Sequence, residues 1–426
     1  MFICHAYVVK IAACLKNDME IKKDNRGHIS RVKASLLIAL VGLVVGSVVF
    51  LATPAHQWVT GLFHAGAGVS PANSNAAMFG YDLQHTHFDA GEHLLNTGNV
   101  NRLVLDWTLS TSAFIISTPA VTGGVVYVGS NDQSFYALDA RTGKTLWFHV
   151  AKADIGSSPA VANGIVYVGS SDHKLYAFNA RTGKVVWTYM TGNAIWSSPA
   201  VANGMVYIGS NDTTLYALDA ATGKGLWGHA TDNFVSSSPA LVNGVVYVGS
   251  EDGNLYALDA KEGTMLWTAR AGLAIRVSSP AVVNGVVYIG SEDKNLYAFD
   301  AHTGKLLWKG VTKGYIHSSP AVANSVVYIG STDGYLHAFD ARTGAALWMT
   351  RTGATIHSSP TVANGVVYVG SQDGKLYAFD AQTGQVLWTY TTGSAIDSSP
   401  TVVNGMVYVG SWDGKLYAFH LPPQTV

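Results

Sequence analysis

The sequence predicts an all-β fold, an eight-bladed β-propeller of four-stranded antiparallel blades. Three observations predict it. A unit marked by Gly-Ser-x-Asp recurs eight times, with every step 40 residues long except one of 41. Each unit holds four short strand-like runs separated by turn motifs. The Ser-Pro or Thr-Pro that opens the first run and the tryptophan of the fourth run each occur eight times.

The turn chemistry of one unit indicates how its strands connect. The first turn is Asn-Gly in six units, as at Asn163 and Asn364, and this pair favours a type I′ hairpin because both central residues need positive φ. The second turn is often Asp-Gly and the third Thr-Gly, where glycine takes the left-handed conformation. Three tight turns predict an up-and-down meander of strands A to D. Such a sheet cannot bury both faces alone, so we expect the eight sheets to pack radially.

The two ends of the array predict how the ring closes. The last unit stops at residues 416–420 without a fourth run, whereas residues 103–109, with Trp107, precede the first unit. We therefore expect the N-terminal strand 103–109 to complete the eighth blade, so that no blade lacks its outer edge. The propeller then spans residues 103–420 and leaves a short tail at 421–426.

An uncharged apolar stretch at residues 34–53 is long enough to cross a bilayer as a helix. Seven Lys and Arg against three acidic residues precede it, and the next charge after it is Asp82. The positive-inside rule predicts a cytoplasmic tail at 1–33, a single-pass signal-anchor in the cell membrane and an extracytoplasmic propeller. Residues 54–102 would form a linker and flap. Signal cleavage and secretion of the propeller is the alternative.

The composition argues against nucleic-acid binding and against disulfides in the propeller. Charged residues make up 12% of the chain and the net charge is −1, so the basic footprint that nucleic-acid binding needs is missing. The two cysteines, Cys4 and Cys14, both precede the apolar stretch. We expect no disulfide within the propeller.

Residues that recur in every repeat are interpreted as structural. A tryptophan at a fixed position of each outer strand predicts packing between blades, with its N–H satisfied nearby. The aspartates of Gly-Ser-x-Asp are likewise expected to bind turn backbone rather than act in catalysis. The predicted docking tryptophans are Trp107, Trp147, Trp187, Trp227, Trp267, Trp308, Trp348 and Trp388.

Function is expected where the repeats differ within this constant frame. The first variable position precedes Ser-(Ser/Thr)-Pro and the second is the x of Gly-Ser-x-Asp. The D-to-A loops and B-to-C turns open onto one face, so both positions converge at one mouth of the channel. The 41-residue step, in blade five, adds Arg276 there. The candidate binding residues are Trp196, Arg276, His317, His357, Asp397 and Trp412.

Those residues favour two interpretations of the mouth. A polar crescent facing an aromatic side chain is typical of an anion or small-molecule site, and a wet, polar channel mouth is the alternative. Two histidines on adjacent blades could bind a metal. We predict no metal site, because no carboxylate or cysteine cluster supports them.

The motif Ala-x-Asp-x-x-Thr-Gly-x-x-x-Trp, as at residues 137–147 and 378–388, resembles the tryptophan-docking repeat of the pyrroloquinoline quinone (PQQ) propeller superfamily. Residues 78–87 and 99–103 also resemble the segment that precedes the first blade in such proteins. The resemblance covers about residues 75 to 420. It implies the propeller fold, but fold alone does not fix activity.

The resemblance implies two functional branches. Quinoprotein dehydrogenases hold PQQ and calcium or a lanthanide at the channel mouth, which would make Asp397 the catalytic base, Arg276 the carbonyl clamp and Trp196 the floor. This array lacks their adjacent cysteine pair and long insertions. The other branch is non-catalytic, similar to the barrel-assembly scaffold protein of outer membranes. We expect a scaffold or binding module for a protein, peptide or small ligand, with no cofactor; a PQQ-dependent alcohol or sugar dehydrogenase is the alternative.

Overall fold

The computed structural model describes residues 76–423. Within them the strands form eight antiparallel sheets of four strands, one of which gains a fifth strand. The innermost strand of each sheet contacts that of the next, and the last contacts the first. The predicted eight-bladed propeller is therefore confirmed. The expected membrane segment at 34–53 lies outside the described residues, and no helix within 76–423 is long and apolar enough to span a bilayer.

The chain enters the ring through three short elements and then builds the blades in order, each from its inner strand outwards. The entering elements are β1 (Phe88–Asp89), the 3-10 helix η1 (Val100–Arg102) and β2 (Val104–Ser110). Blades 1 to 4 are β3 (Ala120–Thr122), β4 (Val125–Gly129), β5 (Ser134–Asp139), β6 (Thr145–Val150); β7 (Ala160–Ala162), β8 (Ile165–Gly169), β9 (Lys174–Asn179), β10 (Val185–Met190); β11 (Ala200–Ala202), β12 (Met205–Gly209), β13 (Thr214–Asp219), β14 (Gly225–Ala230); and β15 (Ala240–Val242), β16 (Val245–Gly249), β17 (Asn254–Asp259), β18 (Met265–Arg270).

Blades 5 to 8 repeat the pattern, except that the last blade has three strands in sequence. They are β19 (Ala281–Val283), β20 (Val286–Gly290), β21 (Asn295–Asp300), β22 (Leu306–Val311); β23 (Ala321–Ala323), β24 (Val326–Gly330), β25 (Tyr335–Asp340), β26 (Ala346–Arg351); β27 (Thr361–Ala363), β28 (Val366–Gly370), β29 (Lys375–Asp380), β30 (Val386–Thr391); and β31 (Thr401–Val403), β32 (Met406–Gly410), β33 (Lys415–His420).

Ring closure follows the sequence prediction. β2 pairs antiparallel with β33, from Val104 opposite His420 to Ser110 opposite Lys415, and supplies the missing outer strand of blade 8. The strand expected at 103–109 is thus found one residue later. The outer strand of blade 1 has a β-bulge next to its tryptophan, and its pairing with the neighbouring strand shifts register between Ala137 and Leu138 of that neighbour. The other seven outer strands have the same bulge.

The apolar core lies between blades, and the outer-strand tryptophans lie within it. The Trp107 indole N–H donates to the Ala140 carbonyl at 3.1 Å, and its ring lies under Gly143 of the same turn. A Cβ on Gly143 would come within 2.6 Å of that ring, which explains the glycine of the Thr-Gly turn. The same bond, from one blade to the next, is made by Trp147, Trp187, Trp227, Trp267, Trp308 and Trp348.

Trp388 is placed differently from the other seven. Its ring packs edge-on against Phe419 at 5.4 Å between centroids, next to the core cluster that joins blades 7 and 8. In blade 8 the chain continues from His420 to Leu421 and does not form the Ala-x-Thr-Gly turn. The alanine carbonyl and the turn glycine that receive the other seven tryptophans are therefore missing from blade 8. The outer strand of this blade comes from the N-terminal side of the chain instead.

Residues 76–89, called here the plug segment, occupy one end of the channel. Their backbone carbonyls accept hydrogen bonds from inner-strand N–H groups that would otherwise face the channel unpaired. The donors are Val121, Val161, Leu241, Val282, Val322 and Val362, and in blade 8 the Val402 N–H donates to the Tyr81 hydroxyl. The plug segment thus bonds to seven blades. The donors lie next to the A-to-B turns, so it closes the end of the channel opposite the variable positions.

The described part of the expected linker and flap continues from the plug segment along blades 7 and 8. The Glu92 carboxylate accepts a hydrogen bond from the Gly405 N–H at 2.8 Å, and the Asn364 side chain donates to the Leu95 carbonyl at 2.9 Å. Leu95 and Val100 are buried in the core between these blades. Residues 76–102 are therefore built into the propeller before β2 closes the ring.

We expect Gly143→Ala to destabilise the protein more than Gly164→Ala. Both glycines have positive φ, +69° and +75°, so both variants incur about 1 kcal/mol of left-handed backbone strain. Only at position 143 does the new methyl group meet a tryptophan ring, while nothing lies within 4 Å of it at 164. Overpacking adds about 1–3 kcal/mol. Denaturant midpoints measure the difference, and equal losses would contradict the docking account.

We expect stability to fall on acidification because two histidines of the plug segment are buried. His85 and His87 are 2% and 1% exposed, and burial lowers the pKa of His85 to about 4 and that of His87 to about 3. Between pH 6.5 and these values only the unfolded chain binds the protons, so each histidine removes about 1.4 kcal/mol of stability per pH unit. Unfolding of a His85→Gln/His87→Gln variant should depend less on pH in that window. An unchanged slope would contradict the prediction.

Candidate functional site

A cavity of about 390 Å³ opens at the end of the channel opposite the plug segment. Its wall contains the first variable position of every blade. Five of the six candidate residues line it, with Arg276 outside. The lining residues at the first variable position are Ile116, Gly156, Trp196, Ser236, Val277, His317, His357 and Asp397.

Backbone hydrogen bonds bring the two variable positions of each blade together. In blade 1 the Asn131 N–H donates to the Phe114 carbonyl at 2.9 Å, and the equivalent bond is present in all eight blades. Each second-position side chain then lies between the first positions of its own blade and the next one. Gln372, for example, contacts both His357 and Asp397.

The floor of the cavity is a ring of hydroxyl groups that sequence analysis did not identify as a site. The second residue of each Ser-(Ser/Thr)-Pro lines the cavity, and its backbone N–H donates to the Oγ of the next blade's serine in seven of the eight steps, at 2.9–3.1 Å. Phe79 of the plug segment lies beside this ring. The sequence does contain a signal for this ring, because the residue before each proline is a serine in seven repeats and Thr118 in the eighth. The ring residues are Thr118, Ser158, Ser198, Ser238, Ser279, Ser319, Ser359 and Ser399.

Arg276 is paired with two carboxylates at the rim. Its Nε lies 3.3 Å from Glu292 Oε1 and 3.8 Å from Glu251 Oε2. The inserted residue places Val277 in the cavity wall and Arg276 outside it. Burial raises the pKa of Glu251, and Ser236 and Arg276 oppose that shift. The Arg276 guanidinium, one of the candidate binding residues, is therefore already paired with two carboxylates.

The two candidate histidines lie next to each other, and each has its own carboxylate neighbour. The His317 Nε2 is 3.0 Å from Glu292 Oε1, and burial lowers the pKa of His317 although Glu292 opposes this. The His317 and His357 rings are 5.0 Å apart. The Gln372 side-chain nitrogen lies 3.0 Å from His357 Nδ1 and donates to Asp397 at 3.2 Å, and His357 Nδ1 is also 3.5 Å from Asp397 Oδ2.

Aromatic side chains also line the mouth. The Trp196 side chain is 52% exposed, and its indole N–H donates to Ser171 Oγ at 3.2 Å. Trp412 stacks on Phe114 with ring centroids 5.0 Å apart, a contact that the sequence did not predict. The Trp412 Nε1 and Asn131 Oδ1 are buried and have no hydrogen-bond partner among the described residues. The mouth thus combines polar, acidic and aromatic side chains.

The repeat, ring and channel define a PQQ-like repeat β-propeller. A family profile described as "Outer membrane protein assembly factor BamB" matches residues 82–195, 148–271, 190–315 and 296–421. Together these matches cover most of the chain, so the chain belongs to this family. None of the functionally curated proteins matches the sequence.

Solved structures with the same fold come from both functional branches. BamB from Moraxella catarrhalis is 24% identical with a TM-score of 0.66, covering 75% of this chain and 99% of that one. A europium-containing methanol dehydrogenase is 16% identical with a TM-score of 0.72, covering 82% and 98%. The quinohaemoprotein alcohol dehydrogenase from Comamonas testosteroni is 18% identical with a TM-score of 0.73, covering 86% and 83%. At these identities the likeness establishes the fold alone.

The residues at the mouth do not match the quinoprotein pattern. The arginine that would clamp the quinone is paired with Glu251 and Glu292 outside the cavity wall. The carboxylate that would act as base is held by Gln372 and lies 3.5 Å from His357. Among residues 76–423 no group of three His, Cys, Asp or Glu side chains is placed to hold a metal ion.

We expect Glu292→Gln to lower the pKa of His317 further. The carboxylate favours the protonated ring through its hydrogen bond and its charge, whereas burial and the nearby Arg276 disfavour it. Removing the negative charge leaves the lowering influences unopposed. NMR titration of the His317 ring, assigned with His317→Gln, measures the shift. Glu251→Gln is the control, because Glu251 contacts Arg276 but not His317; a rise in the pKa of His317 in Glu292→Gln would contradict the assignment.

Proposed function

We propose that the protein is an extracytoplasmic binding module, tethered to the cell membrane by residues 34–53, that holds its ligand or partner at the channel mouth. The cavity itself carries the proposal. It is walled by the one position per blade that varies within an otherwise uniform repeat, and it is closed from below by the hydroxyl ring and Phe79. A concave site with a few convergent polar groups is the usual form of a ligand site.

The uniform repeat supports binding rather than quinone chemistry. Every D-to-A loop keeps the same length except for the one extra residue in blade 5. Loops of this kind leave the mouth formed by single side chains and provide no additional segment to cover a cofactor. The arrangement at Arg276 and Asp397 also lacks the ion ligands that a metal-bound PQQ requires. Membership of the BamB family supports an extracytoplasmic location and a non-catalytic role.

The similarity to two quinoprotein dehydrogenases makes PQQ-dependent alcohol oxidation the second candidate. We expect the full-length protein, purified in detergent and mixed with PQQ and either calcium or lanthanum, to show no stoichiometric quinone binding by absorbance. Dye-linked oxidation of alcohols and sugars should stay at background. A quinoprotein alcohol dehydrogenase in the same assay is the positive control.

Turnover at one quinone per chain would contradict the binding-module proposal. If turnover is found, the Asp397→Asn variant tests whether the reaction takes place at the channel mouth or at an adventitious site. Asp397 lines the cavity, and loss of activity in that variant would assign the reaction to the channel mouth. Asp232→Asn removes the same charge from an exposed loop outside the cavity, so its activity should be unchanged.

A further inference from the structure

We propose that the channel mouth binds a small organic cation, such as a quaternary ammonium or an alkylamine, between the carboxylates of Asp154 and Asp397 and the ring of Trp196. This inference rests on the proposed function and specifies its ligand class. It is supported by the charge of the cavity wall, the pairing of Arg276 with two carboxylates, the tryptophans of the wall and the hydroxyl floor.

Acidic side chains supply the formal charge of the cavity wall. The lining contains Asp154 and Asp397 and, among the described residues, no Lys or Arg. Asp154 is exposed, and its carboxylate makes no hydrogen bond or ion pair with another described residue. Asp397 accepts a hydrogen bond from the neutral Gln372 amide, and its Oδ2 lies 3.5 Å from His357 Nδ1. A ligand with a positive charge would therefore find two carboxylates and no competing ammonium or guanidinium in the wall.

Arg276 at the rim does not reverse this preference. It lies between Glu251 and Glu292, so these three side chains together keep a net negative charge. Burial lowers the pKa of His317, which keeps its ring neutral near pH 7. The carboxylates of Glu251, Glu292 and Asp397 therefore outnumber the Arg276 guanidinium on this arc.

Aromatic rings provide the second part of cation recognition. Trp196 lines the cavity and is half exposed, and Trp412, stacked on Phe114, lines it on the side towards blade 1. A tryptophan face attracts an organic cation by about 0.5–2 kcal/mol, most strongly where water is excluded. An ammonium group that carries methyl or alkyl substituents gains both the ring contact and the burial of its apolar surface. An inorganic cation gains neither, and no set of three ligands is present for it in residues 76–423.

The size and floor of the cavity limit the ligand to a small molecule. The volume of about 390 Å³ is near the lower end for ligand sites, and the plug segment prevents passage through the ring. The floor serines accept backbone N–H groups at Oγ and keep their own O–H groups available to a ligand or water. A cation with a hydroxyl group at its other end would contact both the carboxylates and tryptophan of the wall and the hydroxyl groups of the floor.

Choline and benzyltrimethylammonium are the probes, added to full-length protein in detergent at constant ionic strength. Isothermal titration and the fluorescence of the mouth tryptophans should both show saturable binding. The matched control ligand is the uncharged carbon isostere of choline, in which a tert-butyl group replaces trimethylammonium. We expect it to bind at least about tenfold more weakly, because it lacks the positive charge that the largely shielded Asp397 carboxylate, 16% exposed, would attract.

Variants assign the binding to the mouth. Asp397→Asn should weaken choline binding by about tenfold, Asp154→Asn at its exposed position by about twofold to fivefold, and Trp196→Leu by about threefold to thirtyfold. Asp232→Asn, which removes a carboxylate from the same face outside the cavity, is the matched control and should bind like the unmodified protein. The thermal unfolding of each variant without ligand shows that the fold is retained.

Two results would overturn the cation proposal. One is the absence of saturable binding by both probes, and the other is equal binding of choline and its uncharged isostere. Equal binding that is still lost in Trp196→Leu would leave the mouth as a binding site but change its ligand class. Quinone-dependent turnover, by contrast, would overturn the proposed function itself, so the two failures are distinguishable.

Discussion

The contact on which the rest of the structure depends is the docking of one blade's tryptophan onto the turn of the next. A bulge in the outer strand precedes the tryptophan, and its indole N–H donates to an alanine carbonyl while its ring fills the space under a glycine. Seven repetitions of this contact set each blade at the same offset from its neighbour. Since the offset is constant, the loops at the mouth keep one length, and single side chains rather than inserted segments distinguish one blade from another.

Much of the fold could be predicted because its determinants are local in sequence. Asn163 and Gly164 both have positive φ, as the type I′ turn requires, and the same turn recurs across the ring. The Gly-Ser-x-Asp mark has a cause in packing: a Cβ on Gly129 would collide with Ile155 of the following loop, and Asp132 accepts hydrogen bonds from the Ser134 N–H and the Tyr136 hydroxyl. Each of these contacts joins residues at a fixed separation, so the repeat reveals them.

Other features depend on contacts between distant segments, which the repeat does not encode. The plug segment bonds to seven blades through its backbone carbonyls and one tyrosine hydroxyl, and its sequence has no periodicity that reflects this. The pairing of Arg276 with Glu251 and Glu292 could not be predicted either, because the inserted residue changes which side chain enters the cavity. The sequence places the variable positions on one face and leaves the mouth either an anion or small-molecule site or a wet, polar channel end. The carboxylates around Arg276 are the basis for the cation proposal.

A uniform ring, closed at one end by the plug segment, presents an acidic and aromatic cavity at the other end. A crystal structure of the full-length chain with benzyltrimethylammonium would show whether this cavity binds an organic cation. We expect ligand density in the cavity, with the ammonium group within about 6 Å of the Trp196 ring and next to the Asp397 carboxylate. An empty cavity at saturating ligand, or ligand density only on the outer strands, would contradict it.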